Sequence, residues 1–229
     1  MGHVLKSLAL AAGQLGDPAI LRVLAKSLAI TLGLFAALGF ALIKALPVLL
    51  GGYLDIAGDA YVVLSLLIVL ALGWFLFRIV ALAVLQFFAD EVVLAVERRH
   101  YPAAATSARN LPFHEDLANS LRGVGRALLF NALAAPVALV LLFTAVGPAV
   151  VFLAVNAVLL GRELTDMGWL RHRPAPQAPL PVGGWERLLL GGAIAALMAV
   201  PFVNLVVPVI GAAAGTHLVQ LNRHKTPKA

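Results

Sequence analysis

The amino-acid sequence predicts an all-α integral membrane protein with two long transmembrane helices, two membrane-dipping helical hairpins and a short cytoplasmic amphipathic helix. Three observations predict it. The first is composition: of 229 residues, 62% are hydrophobic and 12% charged, whereas a soluble domain is about half apolar and one-quarter charged. Mean hydropathy is accordingly +0.96. The second is the presence of four long apolar segments, the last two broken near their middles by proline and glycine. The third is the distribution of 17 Lys+Arg against 11 Asp+Glu, in which the cations cluster in the stretches that such a fold leaves on one side. Cysteine is absent, which excludes disulfides, thiolate nucleophiles and cysteine metal sites. A formal charge of +6 in a soluble protein would suggest nucleic acid; in a bilayer it marks cytoplasmic loops, and no nucleic-acid partner is expected.

The elements follow in order as parts of a single membrane domain, 1–229. Met1–Gly16 has one cation, Lys6, and an apolar stretch broken at Gly13 and Gln14, so it reads as a short interfacial helix rather than a cleaved signal. Leu5, Leu8 and Ala12 share one of its faces. Span one, 23–46, reaches roughly 36 Å at helical rise, enough for a hydrocarbon core of about 30 Å. Lys26 and Lys44 lie near its ends and can snorkel. A glycine-rich turn at 51–59 with two aspartates precedes span two, 60–89, which overshoots one bilayer by about 15 Å and continues as a cytoplasmic extension to about residue 100. Arg78 falls near its far interface.

Residues 109–126 place Phe113, Leu117, Leu121 and Val124 at helical spacing, giving a cytoplasmic amphipathic helix that starts after Pro112. The apolar segments 127–161 and 188–221 are too long for one helix and short of the roughly 40 residues that two full spans and a turn need. Their breakers are Ala145-Val146-Gly147-Pro148, and Pro201-Phe202-Val203-Asn204 with Pro208; proline removes a backbone donor and clashes with the preceding turn. Each segment therefore reads as a hairpin. The linker 171–184 holds Pro174, Pro176, Pro179 and Pro181 and is extended. Charge supports the same topology. Lys6, Arg22 and Lys26; Arg98, Arg99, Arg109, Arg122 and Arg126; Arg162, Arg171, Arg173 and Arg187; and Arg223, Lys225 and Lys228 all return to one side if both late segments double back. The termini are then cytoplasmic. Hairpin tips within a membrane need protein or water around them, which predicts packing against other helices or other subunits.

Three local patterns carry a family resemblance: Phe88-Ala-Asp-Glu-Val-Val-Leu-Ala-Val-Glu-Arg-Arg-His-Tyr-Pro102, Asn156-Ala-Val-Leu-Leu-Gly-Arg-Glu163 and Val200-Pro-Phe-Val-Asn-Leu-Val-Val-Pro-Val209. In order and surroundings they resemble the CysZ-type sulfate permeases and their bacterial relatives, from about Ala11 to Leu221. The resemblance implies a bacterial inner-membrane homo-oligomer of two long helices and two membrane-dipping hairpins that admits sulfate for cysteine synthesis. One departure stands out. The sulfate permeases resemble Gly-(Ile/Leu)-Arg-Arg before the first span; here Pro18-Ala-Ile-Leu-Arg22 has Leu21 in place of the first arginine.

Arg22 is the candidate anion ligand, because its guanidinium offers a donor fork and the adjacent helix start offers unpaired N–H groups. The plainer reading is a flank that snorkels to lipid phosphate. Glu97 and Arg99 match charged positions of the family pattern and orient the extension of span two, or else form a solvated face. Arg162 and Asp166 stand four apart and can pair, with Glu163 pointing elsewhere; the alternative is an interfacial charge cluster. Asn204, between two prolines, must find partners inside an apolar hairpin. It caps freed backbone or touches a permeating ion, and Asn156 poses the same choice. The six histidines show no metal spacing, His217 reads as interfacial, and no metal or cofactor is expected.

The leading function is an anion permease or channel, its partners an inorganic anion such as sulfate and the lipid bilayer. Moving a divalent anion inward against about 100 mV costs roughly 4.6 kcal/mol, so consumption or cotransport must draw it in. Asp90, Glu91 and Glu97 are candidate proton carriers. No Gly-x4-Gly-Lys-Ser/Thr loop supports ATP drive. The competing reading is a non-transporting scaffold or lipid organiser. An intramembrane lipid enzyme lacks any paired-histidine, Gly-x-Ser-x-Gly or acidic-pair motif.

Overall fold

The structure, a computed structural model, describes residues 1–50, 63, 67, 71, 89–175, 177–200, 203 and 206–223. Among the described residues there are helices and turns and no strand. The helices are α1 (Gly2–Gly13), α2 (Pro18–Leu50), α3 (residues 89–100), α4 (Pro102–Ser107), α5 (Phe113–Val140), α6 (Gly147–Trp169), α7 (Gly184–Met198) and α8 (Val207–Arg223). A 3-10 turn, Leu141–Phe143, follows α5. Met1–Ile20 with Ala89–Ala229 form one compact unit, and Leu21–Phe88 form a second. Arg78 and Asn204, with most of 51–88, lie outside the described residues.

Among the described residues, three helical stretches are long and apolar enough to cross a membrane: Pro18–Ala41, Phe113–Phe143 and Gly147–Trp169. The first lies mostly in the Leu21–Phe88 unit. Its leucines and alanines favour helix, the Ser27 hydroxyl donates to the Leu24 carbonyl at 3.2 Å instead of standing unsatisfied, and Leu28, Leu32, Leu34 and Phe40 are exposed. In water that surface would be an unpartnered apolar patch; in lipid it is solvated.

The larger unit is organised around α6, which packs against α5, α7 and α8, while α1 packs against α7 and α8. Glycines set these approaches. A Cβ on Gly161 would fall on the Arg187 carbonyl, one on Gly191 on the Ala157 carbonyl, and one on Gly215 on the Leu164 carbonyl. Small residues that let helix backbones meet are the common device of membrane helix packing. Around the contacts lie buried Leu190, Ile194, Leu218, Val92, Val93 and Val96. The outer face of α5 is different: Leu128, Leu133, Leu139 and Val140 are exposed, and Phe143 in the 3-10 turn that follows is 97% exposed, as a lipid-facing surface requires.

Two sequence expectations change. The short amphipathic helix after Pro112 does begin at Phe113, but it does not stop near residue 126; it runs on to Val140 as one helix with Pro136 inside it. Nothing between Arg126 and Ala127 breaks the helical run, and Gly123 and Gly125 weaken a helix without ending it. Its apolar face of Phe113, Leu117, Leu121 and Val124 is exposed. The second change follows. Counting only the apolar residues 127–161 made two full crossings look too short, whereas the helices extend to Phe113 on one side and Trp169 on the other, so each arm has the length to cross. The first break falls beside Gly147-Pro148, between the 3-10 turn and α6; in the second segment α7 ends at Met198 and α8 begins at Val207, with Pro201 and Asn204 outside the described residues, and the proline-rich 171–184 stretch is irregular where described, up to the start of α7 at Gly184.

Candidate functional site

Buried polar side chains from α1, α3, the α6–α7 linker and α8 meet inside the larger unit. Glu97, on the last turn of α3, is fully buried. Its Oε1 accepts from His172 Nε2 at 2.6 Å and from Gln220 Nε2 at 3.5 Å. Its Oε2 lies 4.0 Å from Arg171 Nη1. A carboxylate held in a low-dielectric interior needs such compensation, because the desolvation of a lone charge would exceed what folding can supply. Gln220 in turn accepts from Arg223 at 3.1 Å, and that guanidinium stacks over Trp169 at 5.9 Å.

One helical turn away, His217 is also fully buried. Burial pushes the Tyr101 phenol up; its hydroxyl donates to His217 Nδ1 at 2.8 Å, because the other ring nitrogen faces an amide oxygen and must carry the proton. His217 Nε2–H then donates to Gln14 Oε1 at 3.3 Å, which fixes the neutral tautomer. His100 packs edge-on to the ring, with centroids 5.2 Å apart. Burial first, and His100 second, lower the His217 pKa from 6.5 to about 4. A base whose folded pKa lies below its unfolded value stays neutral in the fold while the unfolded chain takes up a proton. Stability from this site is therefore complete above pH 6.5 and is lost as pH falls from 6.5 to about 4. At about 1.4 kcal/mol per pH unit, less solvent screening, the loss by pH 4 is roughly 2 kcal/mol. A pH series of thermal unfolding should show this fall in the wild-type chain and a flatter profile in His217→Gln.

A second cluster joins α5 and α6. Asp166 Oδ2 is 3.5 Å from Arg162 Nε and 3.7 Å from Arg126 Nη2, so the expected pair, four residues apart on α6, has a third member from α5. Glu163 is exposed on the same helix. A third group, Glu115 with Arg109 at 3.0 Å and Arg173 at 3.5 Å, joins the start of α5 to the linker, beside a backbone bond from Arg109 N–H to the Arg171 carbonyl at 2.9 Å.

A family model described as "Sulfate transporter CysZ/Etoposide-induced protein 2.4" matches residues 7–208. The chain belongs to this family. No curated protein and no solved structure matches it. The match runs from the middle of α1 to the first residues of α8, so the CysZ-type resemblance read from the three sequence patterns holds at the level of the family.

Within this CysZ-type chain the sequence candidates separate. Arg22 is exposed on the first turns of α2, in the Leu21–Phe88 unit, while Glu97, Arg99, Asn156, Arg162, Glu163 and Asp166 belong to the other unit. The solvated face considered for Glu97 is corrected: it is an interior carboxylate, because α8 and the linker cover it. Arg99 is the member of that pattern that faces outward, pairing with Asp17 at 3.0 Å. The interfacial reading of His217 is likewise replaced by full burial. Asn156 donates to the Phe152 carbonyl at 2.9 Å, a local backbone bond. Sequence reasoning missed Gln14, Tyr101, His172 and Gln220 as interior groups. The available signal was Thr216, His217 and Gln220 within one turn of an otherwise apolar helix, since polar residues there must find partners.

Proposed function

We propose that the chain is a bacterial inner-membrane permease or channel for sulfate-type inorganic anions. The observation that carries this reading is the family match over residues 7–208; the three long apolar helices support it. In the proposed arrangement both termini and all basic stretches are cytoplasmic, following the distribution of Lys and Arg. The segment 188–221 dips into the bilayer as a hairpin and returns its polar end, with His217, to the cytoplasmic side. The exposed apolar surfaces of α2 and α5 face lipid or neighbouring copies in a homo-oligomer. Arg22 is the proposed anion ligand, near the N-terminus of α2, where unpaired N–H groups add to its charge. Asn204 and the Arg162–Asp166 pair are proposed as structural or gating groups. No cofactor takes part.

Reconstitution tests the reading directly. Vesicles holding the purified chain should take up labelled sulfate, or another inorganic anion in the same panel, above the empty-vesicle rate. Arg22→Ala should raise the half-saturating anion concentration about 10-fold, the equivalent of one charge-assisted hydrogen bond at about 1.5 kcal/mol, with assembly unchanged. An unaltered value removes Arg22 from the site.

Leu21 gives a specific reason for a second reading. With one arginine where the sulfate permeases resemble two, a non-transporting scaffold or lipid-organising member of the family is the alternative, and absence of flux for every anion tested would favour it.

A further inference from the structure

A cavity of about 450 Å³ opens between α1, the α1–α2 turn and the end of α3, lined among others by Lys6, Gly13, Gln14, Asp17, Arg99 and His100. All of these residues belong to one compact unit. Gln14 is 4% exposed, and its Nε2 is buried without a hydrogen-bond partner. The cause is the chain described above: Tyr101 donates to His217, and His217 donates to the Gln14 oxygen, which turns the amide NH2 away from the histidine. A buried donor left unpaired is costly, and here its residue lines a cavity that also holds Lys6, Arg99, Asp17 and His100. Lys6 and Arg99 against Asp17 leave a net positive charge. Asp17, 3.0 Å from Arg99 and 3.9 Å from His100, holds both in place along one side. The apolar part of the lining is Ala9 and Leu10 of α1; elsewhere that helix buries Val4, Ser7 and Ala11 and exposes Met1 and Leu5, the pattern of a helix lying in an interface with its free face toward acyl chains.

We propose that this cavity binds a phosphate ester carrying one negative charge, of the kind an anionic phospholipid headgroup presents, with Lys6 and Arg99 supplying charge and Gln14 Nε2 supplying the directed hydrogen bond. The volume exceeds what a bare inorganic anion fills and accommodates a glycerophosphate group. The site stands apart from the transport reading, because it uses neither Arg22 nor any step of ion passage.

The test is binding to the full chain in a neutral detergent, read by thermal shift and by native mass spectrometry. Short-chain phosphatidylglycerol should raise the unfolding temperature and remain bound, short-chain phosphatidylcholine should do so at least 10-fold more weakly, and Lys6→Glu should abolish the difference between them. Lys6 is exposed, so that variant leaves the fold intact. Gln14→Glu keeps an acceptor for His217, removes the donor, and should weaken phosphatidylglycerol binding 10-fold or more. Inorganic phosphate is the parallel arm: protection by phosphate alone at similar concentration assigns the site to a free oxyanion of the same chemistry, and protection only by the lipid assigns it to a headgroup. Equal binding of both lipids, or unchanged binding in Lys6→Glu, overturns the proposal; sulfate flux in vesicles is measured separately and is unaffected by that failure.

Discussion

Glu97→Ala should destabilise the larger unit by about 3–5 kcal/mol, the cost of breaking a buried ion pair by removing one partner. The carboxylate is fully buried and faces His172 at 2.6 Å, Gln220 at 3.5 Å and Arg171 at 4.0 Å. Alanine leaves those donors without an acceptor and a cation without a counter-charge, while the cavity vacated by the side chain adds its own term. Glu97→Gln separates the two contributions. A carboxamide oxygen can still accept from His172, so the variant loses the charge facing Arg171 and keeps a hydrogen bond; about half of the alanine effect is expected. Chemical unfolding of the detergent-solubilised chain, followed by far-ultraviolet circular dichroism, measures both. A loss below about 1 kcal/mol for Glu97→Ala would return the residue to the exposed-pair class, where such contacts are worth little.

That result bears on why the interior was hard to read in advance. The run Glu97-Arg98-Arg99-His100-Tyr101 has the composition of a solvated helix end, and in isolation Arg99 behaves that way, reaching out to Asp17. What buries Glu97 is supplied 75 residues later by His172 and 123 residues later by Gln220, and no local pattern reports such distant cover. Local signals served better for elements set by local chemistry. Pro112 placed the start of α5 at Phe113, Gly147-Pro148 placed the start of α6, and the charged run after span two kept residues 89–100 helical. The extent of α5 was lost for a different reason: the change from an amphipathic to a uniformly apolar pattern near Arg126 marks a change of surroundings, and the backbone passes through it without a break. Hydropathy counts the solvent around a helix; it does not count the helix's residues.

The close approach of α6 to α7 supplies a second large effect with an internal control. The two helices run antiparallel, with Gly161 against Arg187 and Gly191 against Ala157, so each glycine meets the backbone of the other helix one turn from its counterpart. At Gly191 a new Cβ would overlap the Ala157 carbonyl and the Gly161 N–H and come within 2.8 Å of Gly161 Cα. Every one of those atoms is main chain, so no side chain can rotate aside, and relief requires the helices to separate. Overpacking in a well-packed interior costs about 1–3 kcal/mol and occasionally more. With backbone on both sides and Leu190 and Ile194 buried beside the contact, Gly191→Ala should exceed 3 kcal/mol. Gly192 is the adjacent residue on the same helix, and a Cβ there would meet only the Ala157 Cβ, at 3.6 Å, an ordinary contact. Gly192→Ala should therefore be neutral or stabilising by up to about 1 kcal/mol through helix propensity. Parallel unfolding of the two variants distinguishes a steric seam from a general intolerance of α7 to alanine. Equal stability of the pair would mean that α6 and α7 do not meet through Gly161 and Gly191.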